Sequence, residues 1–233
     1  MKFPIPIFCG FDPREAAGYA VFCQSVIERS SVPVSFIPLH GPLLAGFDGQ
    51  RDGTNAFIYS RFLVPALMGY AGWAIFVDAS DMVVLDDIAN LWALREENTF
   101  NKAVCVVKHD YQTRHARKYI GTPMESDNLD YPGKNRSSVI LWNCGHYANR
   151  RLTPELVTES PGSFLHRFQW LEDQQIGELP PQWNALAIEQ DISAASLVHF
   201  TLGSPGFDYY KHCDGARHWH KAKANAMHMI GET

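Results

Sequence analysis

Apolar positions along the chain fall into short runs that alternate with longer stretches of helical spacing. Residues 5–11, IPIFCGF, form a run of strand length, which predicts a buried strand. The next stretch, DPREAAGYAVFCQSVIERSS, carries a helical pattern with Asp12 as N-cap and Pro13 at the first helical position. VPVSFIPL predicts the next strand, SRFLVPALMGY a second helix, and residues 74–77 another buried strand. DDIANLWAL then reads as a short helix, KAVCVVKHDY and SSVILWNC as buried strands, and LTPELVTE as the start of a further helix. Beyond about residue 160, FLHRFQWLEDQQIGELPPQWNALAIEQ is less regular, and its aromatic and polar mixture predicts a cover over one rim of the sheet.

Strands alternating with helices imply an α/β fold, in which ligands sit at the carboxyl ends of the strands. Asp12, Asp78, Asp81 and His109 fall on that rim. The stretch WAIFVDASDMVVLDDI sharpens the question, because a buried strand needs no carboxylates at its end: Asp78 and Asp81 must reach water or find a cation. Read alone, the stretch fits a solvated turn as well as a metal site.

Composition narrows the classes. The 233 residues are 46% hydrophobic and 19% charged, with no linker or repeat, which predicts one folded domain over residues 1–233. A net charge of −5 leaves no general electrostatic footprint for nucleic acid. No stretch has signal-peptide or membrane-spanning length, so the expectation is a soluble, cytoplasmic protein without a membrane span. Cys9, Cys23, Cys105, Cys144 and Cys213 are widely spaced, and they read as thiols of a reducing compartment rather than a zinc site. The histidine-rich HCDGARHWHKAKANAMHMIGET reads as a polar terminal segment.

Six blocks in order carry a resemblance over most of the chain. They are IPIFCGFD, YSRFLVPAL, IFVDASDMVVLDDI with an Asp-x-Asp-like segment, SSVILWN, DQQIGELPPQWN and VHFTLGSPGF. Together they resemble the retaining glycosyltransferases of the glycogenin and lipopolysaccharide galactosyltransferase-like family (family 8 type). The resemblance implies a nucleotide-diphospho-sugar transferase (GT-A, Rossmann-like) fold with a mixed central sheet. It assigns about residues 1–110 to the nucleotide-sugar-binding half and about 111–233 to the acceptor side and the C-terminal cover. It also implies a divalent cation, Mn2+ or Mg2+, bridging the protein and the donor diphosphate. Hard oxygen ligands and one imidazole suit such a Lewis acid, and Asp81 and His199 match the ligand positions.

The sequence departs from the family pattern in two places. Counting back from DDI aligns Asp81 with the second motif aspartate and Ala79 with the first. Asp78 stands one place earlier; on a regular strand it faces away from Ala79, so it is either a ligand reached through a twist or bulge, or a carboxylate outside the ligand set. SPGF replaces the family's KPW and removes the lysine that contacts the donor phosphates, leaving Arg61, Lys134 and Lys108 as substitutes. The resemblance further implies nucleotide-sugar contacts from Asp12, Arg61, Asp78, Asn135 and Gly203, and places Asp173 and Gln174 beside the anomeric carbon as the catalytic pair. Asn135 equally begins a strand.

The expected function is therefore metal-dependent transfer of a sugar, from UDP-hexose or a similar nucleotide-sugar donor, to a glycan or other hydroxyl acceptor with retention. The competing expectation is a non-catalytic nucleotide-sugar or glycan-binding protein of the same fold. A nucleotidyltransferase would need a Gly-rich phosphate loop near the first strand, which CGFDPREAAGY lacks.

Overall fold

The computed structural model describes residues 3–41, 44, 57–98 and 101–228. In chain order its strands are β1 (Ile5–Gly10), β2 (Val34–Leu39), β3 (Trp73–Val77), β4 (Met82–Val84), β5 (Val104–Val106), β6 (Arg117–Lys118), β7 (Ser126–Asp127), β8 (Val139–Asn143), β9 (Ile176–Glu178), β10 (Ala185–Leu186) and β11 (Leu197–His199). Its α-helices are α1 (Ala16–Ile27), α2 (Val64–Leu67), α3 (Ile88–Ala93), α4 (Pro154–Glu159), α5 (Gly162–His166) and α6 (Ala216–Ala226).

The main sheet runs β2-β1-β3-β8-β5-β9, with β8 antiparallel to both neighbours and the other pairs parallel. Its strands are apolar at nearly every position because both faces are covered. Alternate residues divide between two cores: Ile7, Ile75, Val77 and Leu141 pack with Phe22 and Val26 of α1 on one face. Phe8, Ala74, Phe76 and Trp142 pack with Phe62, Val157 and Leu165 on the other. This is the α/β fold expected from the apolar runs, in a single domain, with the mixed sheet that the resemblance implies.

Three elements differ from expectation. The helix expected over 60–70 is a 3-10 turn, Ser60–Leu63, followed by the four-residue α2, and it stops where Gly69 and Tyr70 take positive φ of 61° and 55°. The expected C-terminal cover also supplies β9, the edge of the main sheet, and β11, the centre of a second sheet β10-β11-β4. The expected polar tail instead forms α6, whose buried Ala216, Trp219 and Ala222 repeat every three residues, the latter two packing with Val21 of α1 and Val198 of β11. Residues 229–233 of that segment lie outside the described residues.

Asp12 accepts from the backbone N–H of Arg14 and caps the 3-10 turn Pro13–Glu15, so the chain enters α1 as its Asp-Pro pair predicts. Within α1, Gly18 permits a close approach: a Cβ there would lie 1.7 Å from the Ser80 carbonyl oxygen. The missing side chain lets the helix back directly onto the turn that follows β3.

Candidate active site

That turn begins with the last ladder bond of β3, the Asp78 N–H donating to the Ser138 carbonyl at 3.0 Å. Ala79 then takes φ of 60°, Ser80 N–H donates back to the Asp78 carbonyl at 2.7 Å, and Met82 N–H to the Ala79 carbonyl at 3.1 Å. A positive φ at a residue with a Cβ costs energy, and the smallest such side chain limits that cost. The reversal sends the Ala79 methyl into the core with Ile7, Val77 and Ile88, while Asp78 and Asp81 share the opposite side. The strand alternation that set Asp78 aside is thus broken by the turn, and Ala79 faces away from the acids.

β4 leaves the turn and pairs antiparallel with β11, placing Met82 opposite His199, while Phe200 N–H donates to the Asp81 carbonyl at 2.8 Å. Asp78, Asp81 and His199 are 8%, 4% and 2% exposed, and one ligand atom from each lies within 4.8 Å of the others. His199 Nε2 faces Asp81 Oδ2 at 3.3 Å and Asp78 Oδ2 at 4.0 Å.

Asn184 orients the imidazole. Its amide nitrogen contacts the Asn135 carbonyl at 3.1 Å and His109 Nε2 at 3.0 Å, so its oxygen faces His199 Nδ1 at 2.9 Å and accepts that proton. The Nε2 lone pair is left pointing at the two carboxylates.

Such a centre is short of positive charge. Asp81 Oδ1 is buried with no hydrogen-bond partner among the described residues. Burial pushes the Asp78 carboxyl above the ordinary carboxylate range, against the pull of Arg61. Glu15, behind the turn, receives the Ser80 hydroxyl at 3.2 Å and is pushed up to about 8 by burial and the neighbouring Asp81. Two carboxylates and one imidazole offering a lone pair, with an orphaned oxygen between them, fit a hard divalent cation.

These groups line a cavity of about 400 Å³ at the carboxyl end of β3, together with Arg61, Lys118, Asn135 and His166. Arg61 lies between the rings of Phe57 and Phe76, with Nη1 2.7 Å from Asp78 Oδ1 and 2.8 Å from the Ser137 carbonyl, and Nε 3.1 Å from the Ile58 carbonyl. Much of its fork is therefore spent on the protein. Asn135 stands at φ 60° with its amide nitrogen on the Tyr111 hydroxyl at 2.8 Å. His166, held by the Ser137 hydroxyl at 2.7 Å, is kept neutral by burial, which pulls it down to about 3.

Other expected site residues stand elsewhere. Asp12 is buried at the end of β1, engaged with the Arg14 guanidinium at 2.5 Å, and is not on the cavity wall. Gly203, at φ 149°, makes room for the Tyr210 ring, which a Cβ would meet at 2.3 Å, and is likewise off the wall. Lys108 is exposed, and Lys134 is spent on Asn128 at 2.8 Å and Asp130 at 3.5 Å.

Asp173 and Gln174 are not brought to the cavity. They precede β9, which runs parallel to β5 with Ile176 opposite Val104. Val104 and Ala74 both pair with Trp142, so Ile176 is level with Ala74, four residues before Asp78 on β3. At about 3.3 Å per residue, the pair lies more than about 13 Å further down the sheet, at the amino ends of the strands. The block match carried no information on strand level, and the pairing of β9 with β5 decides the position. Glu15, Lys118, His166 and Asn184 went unassigned in the sequence; of these only Asn184 had a signal, as the last residue of the LPPQWN block.

The fold is that of GT-A glycosyltransferases, and it carries a cation-compatible Asp-Asp-His cluster. No family model matches the chain. Protein CDI of Arabidopsis thaliana is 41% identical over 236 residues, covering 94% of this chain and 85% of that protein. The chain belongs to the family of Protein CDI. Among solved structures, the galactosyltransferase LgtC in complex with donor and acceptor sugar analogs matches with a TM-score of 0.58 at 13% identity, over 98% of each chain. The glycosyltransferase GlyE of Streptococcus pneumoniae TIGR4 matches with a TM-score of 0.60 at 10% identity, over 95% of this chain and 60% of its own. Among the described residues, no helix is long and apolar enough to cross a membrane.

Proposed function

We propose that the protein transfers a glycosyl group from a nucleoside diphosphate sugar, a UDP-hexose by family resemblance, to a hydroxyl acceptor, with Asp78, Asp81 and His199 holding Mn2+ or Mg2+. The observation that carries this reading is the buried Asp-Asp-His cluster, with an unpartnered carboxylate oxygen, on the wall of a cavity at the carboxyl end of the sheet. When bound, the cation would supply Lewis acidity to the departing diphosphate. Asp78 and Asp81 would supply the hard oxygen ligands, in a site where burial leaves them short of other partners. Arg61 fixes the first of these carboxylates, and Asn184 fixes the imidazole by accepting a hydrogen bond from its Nδ1–H.

Among the described residues of the cavity wall, Asp78 and Asp81 are the carboxylates, and both belong to the cluster. No carboxylate there is left to act as a nucleophile, so the retention that the family resemblance implies would proceed by departure and attack on one face of the sugar rather than through a covalent glycosyl-enzyme. The test is a donor screen with UDP-glucose, UDP-galactose and other nucleotide sugars, with and without manganese, followed by NMR of any glycoside formed. Manganese-dependent turnover giving an α-linked product from an α-linked donor is expected; a β-linked product would overturn retention, and a screen with no turnover would overturn the transferase reading.

A further inference from the structure

A lysine that sequence comparison does not single out stands on the wall of the same cavity. Lys118 is the second residue of β6, which pairs antiparallel with β7. Its neighbour Arg117 points outward and is paired with Glu125 at 3.0 Å and Asp127 at 2.7 Å. Alternation turns Lys118 the other way, toward Asp78, Asp81 and His199 across the cavity.

The hairpin is held in place from its far side. Tyr119 is buried at φ 56° with its N–H donating to the Leu202 carbonyl at 2.6 Å, and Ile120 N–H donates to the Tyr210 hydroxyl at 3.1 Å. Lys118 is therefore fixed to the loop that follows His199. Among the described residues its ammonium makes no ion pair, and it lies 5.6 Å from the centre of the Tyr119 ring. Burial pulls the ammonium below the ordinary lysine range, with Asp81 and Asp78 opposing that pull.

A partly buried ammonium that faces two carboxylates without reaching them is costly to keep. Direct ion pairing would be the cheap arrangement, yet the cavity separates the groups. An anion spanning the gap, with one end on the acid-bound cation and the other on the ammonium, satisfies both sides at once. A diphosphate has that form, with oxygens at both ends.

We propose that Lys118 binds the diphosphate of the donor from the side opposite the Asp78–Asp81–His199 cluster, as the cation that SPGF no longer provides at residues 204–207. The inference rests on the donor reading above. It makes Lys118 a binding residue whose ammonium meets charge already present in the ground state and growing as the sugar leaves.

Calorimetry on wild type, Lys118→Met and Lys118→Arg tests it, with manganese alone, then UDP and inorganic pyrophosphate in the presence of manganese. Lys118→Met should weaken UDP and pyrophosphate binding about tenfold or more. Manganese alone should bind as well or more tightly, because a like charge has left the cavity, and the melting temperature should hold or rise. Lys118→Arg should recover part of the lost affinity. Unchanged pyrophosphate and UDP affinity in Lys118→Met, or a parallel loss of manganese binding, would overturn the assignment to Lys118 while leaving the donor reading intact. A wild-type protein that binds neither UDP nor pyrophosphate with manganese would overturn the donor reading, and this inference with it.

Discussion

At the carboxyl end of the central sheet, Asp78, Asp81 and His199 are buried, and Asp81 keeps an oxygen with no partner among the described residues. At the amino end, Asp173 and Gln174 are exposed; Gln174 donates to Glu172 at 2.6 Å, Lys102 donates to the Gln174 carbonyl at 2.8 Å, and Glu172 and Gln175 cap the turn reciprocally. Both ends carry carboxylates and amides. The difference lies in what they lack. Polar groups that satisfy one another in water hold a turn together, whereas polar groups buried without enough partners hold energy that a ligand can release.

The comparison breaks most sharply on the acids themselves. Asp81→Asn and His199→Ala should each weaken manganese-stimulated UDP binding by about a hundredfold or more, whereas Asp173→Asn and Gln174→Ala should leave both binding and turnover within about twofold. Calorimetry and a turnover assay on folded variants decide it. Strong loss of turnover in Asp173→Asn would return the amino end to the chemistry. Next in size is Asn184→Ala, which frees the imidazole to rotate and should cost about tenfold in manganese affinity with the fold retained.

Gly18→Ala strikes the turn from behind. Its methyl would overlap the Ser80 carbonyl, and a loss of about 1–3 kcal/mol in denaturant unfolding is expected, with weaker manganese binding as the acids shift. A final effect concerns acid. The folded pKa of Glu15, raised to about 8, lies above its unfolded value near 4.5, so the metal-free fold holds a proton that the unfolded chain releases between those values. Metal-free protein should therefore gain stability as pH falls from 8 toward 5, and Glu15→Gln should flatten that slope in melting curves; a slope that persists in Glu15→Gln would assign the proton elsewhere.

The sheet was readable because strands buried on both faces leave apolar runs that few other structures require. Asp81 and His199 were marked by their places in blocks of sequence. Asp78 was obscured by a turn with positive φ at a non-glycine residue, since alternation predicts side-chain direction only while the strand continues. Ala79, aligned with a missing ligand, instead fills the core, so a carboxylate there would be buried among Ile7, Val77 and Ile88. Lys118 comes from a two-residue strand with no periodicity to read, and its approach to Asp81 depends on the hairpin's tether to residues 202 and 210. The Asp173–Gln174 pair shows the reverse: a motif can be matched in order along the chain while the strand that follows it enters the sheet far from the cavity.

The pairing of β4 with β11 also has a kinetic consequence. Asp81 and His199 meet across a ladder whose two strands are separated by about half the length of the chain. Contacts of such long sequence separation close large loops and tend to form late. A chain emerging from synthesis would hold both acids well before it holds the histidine. Completion of the cluster would then mark the end of folding rather than an early step, and a partly made chain would carry the two aspartates without the imidazole that completes their site.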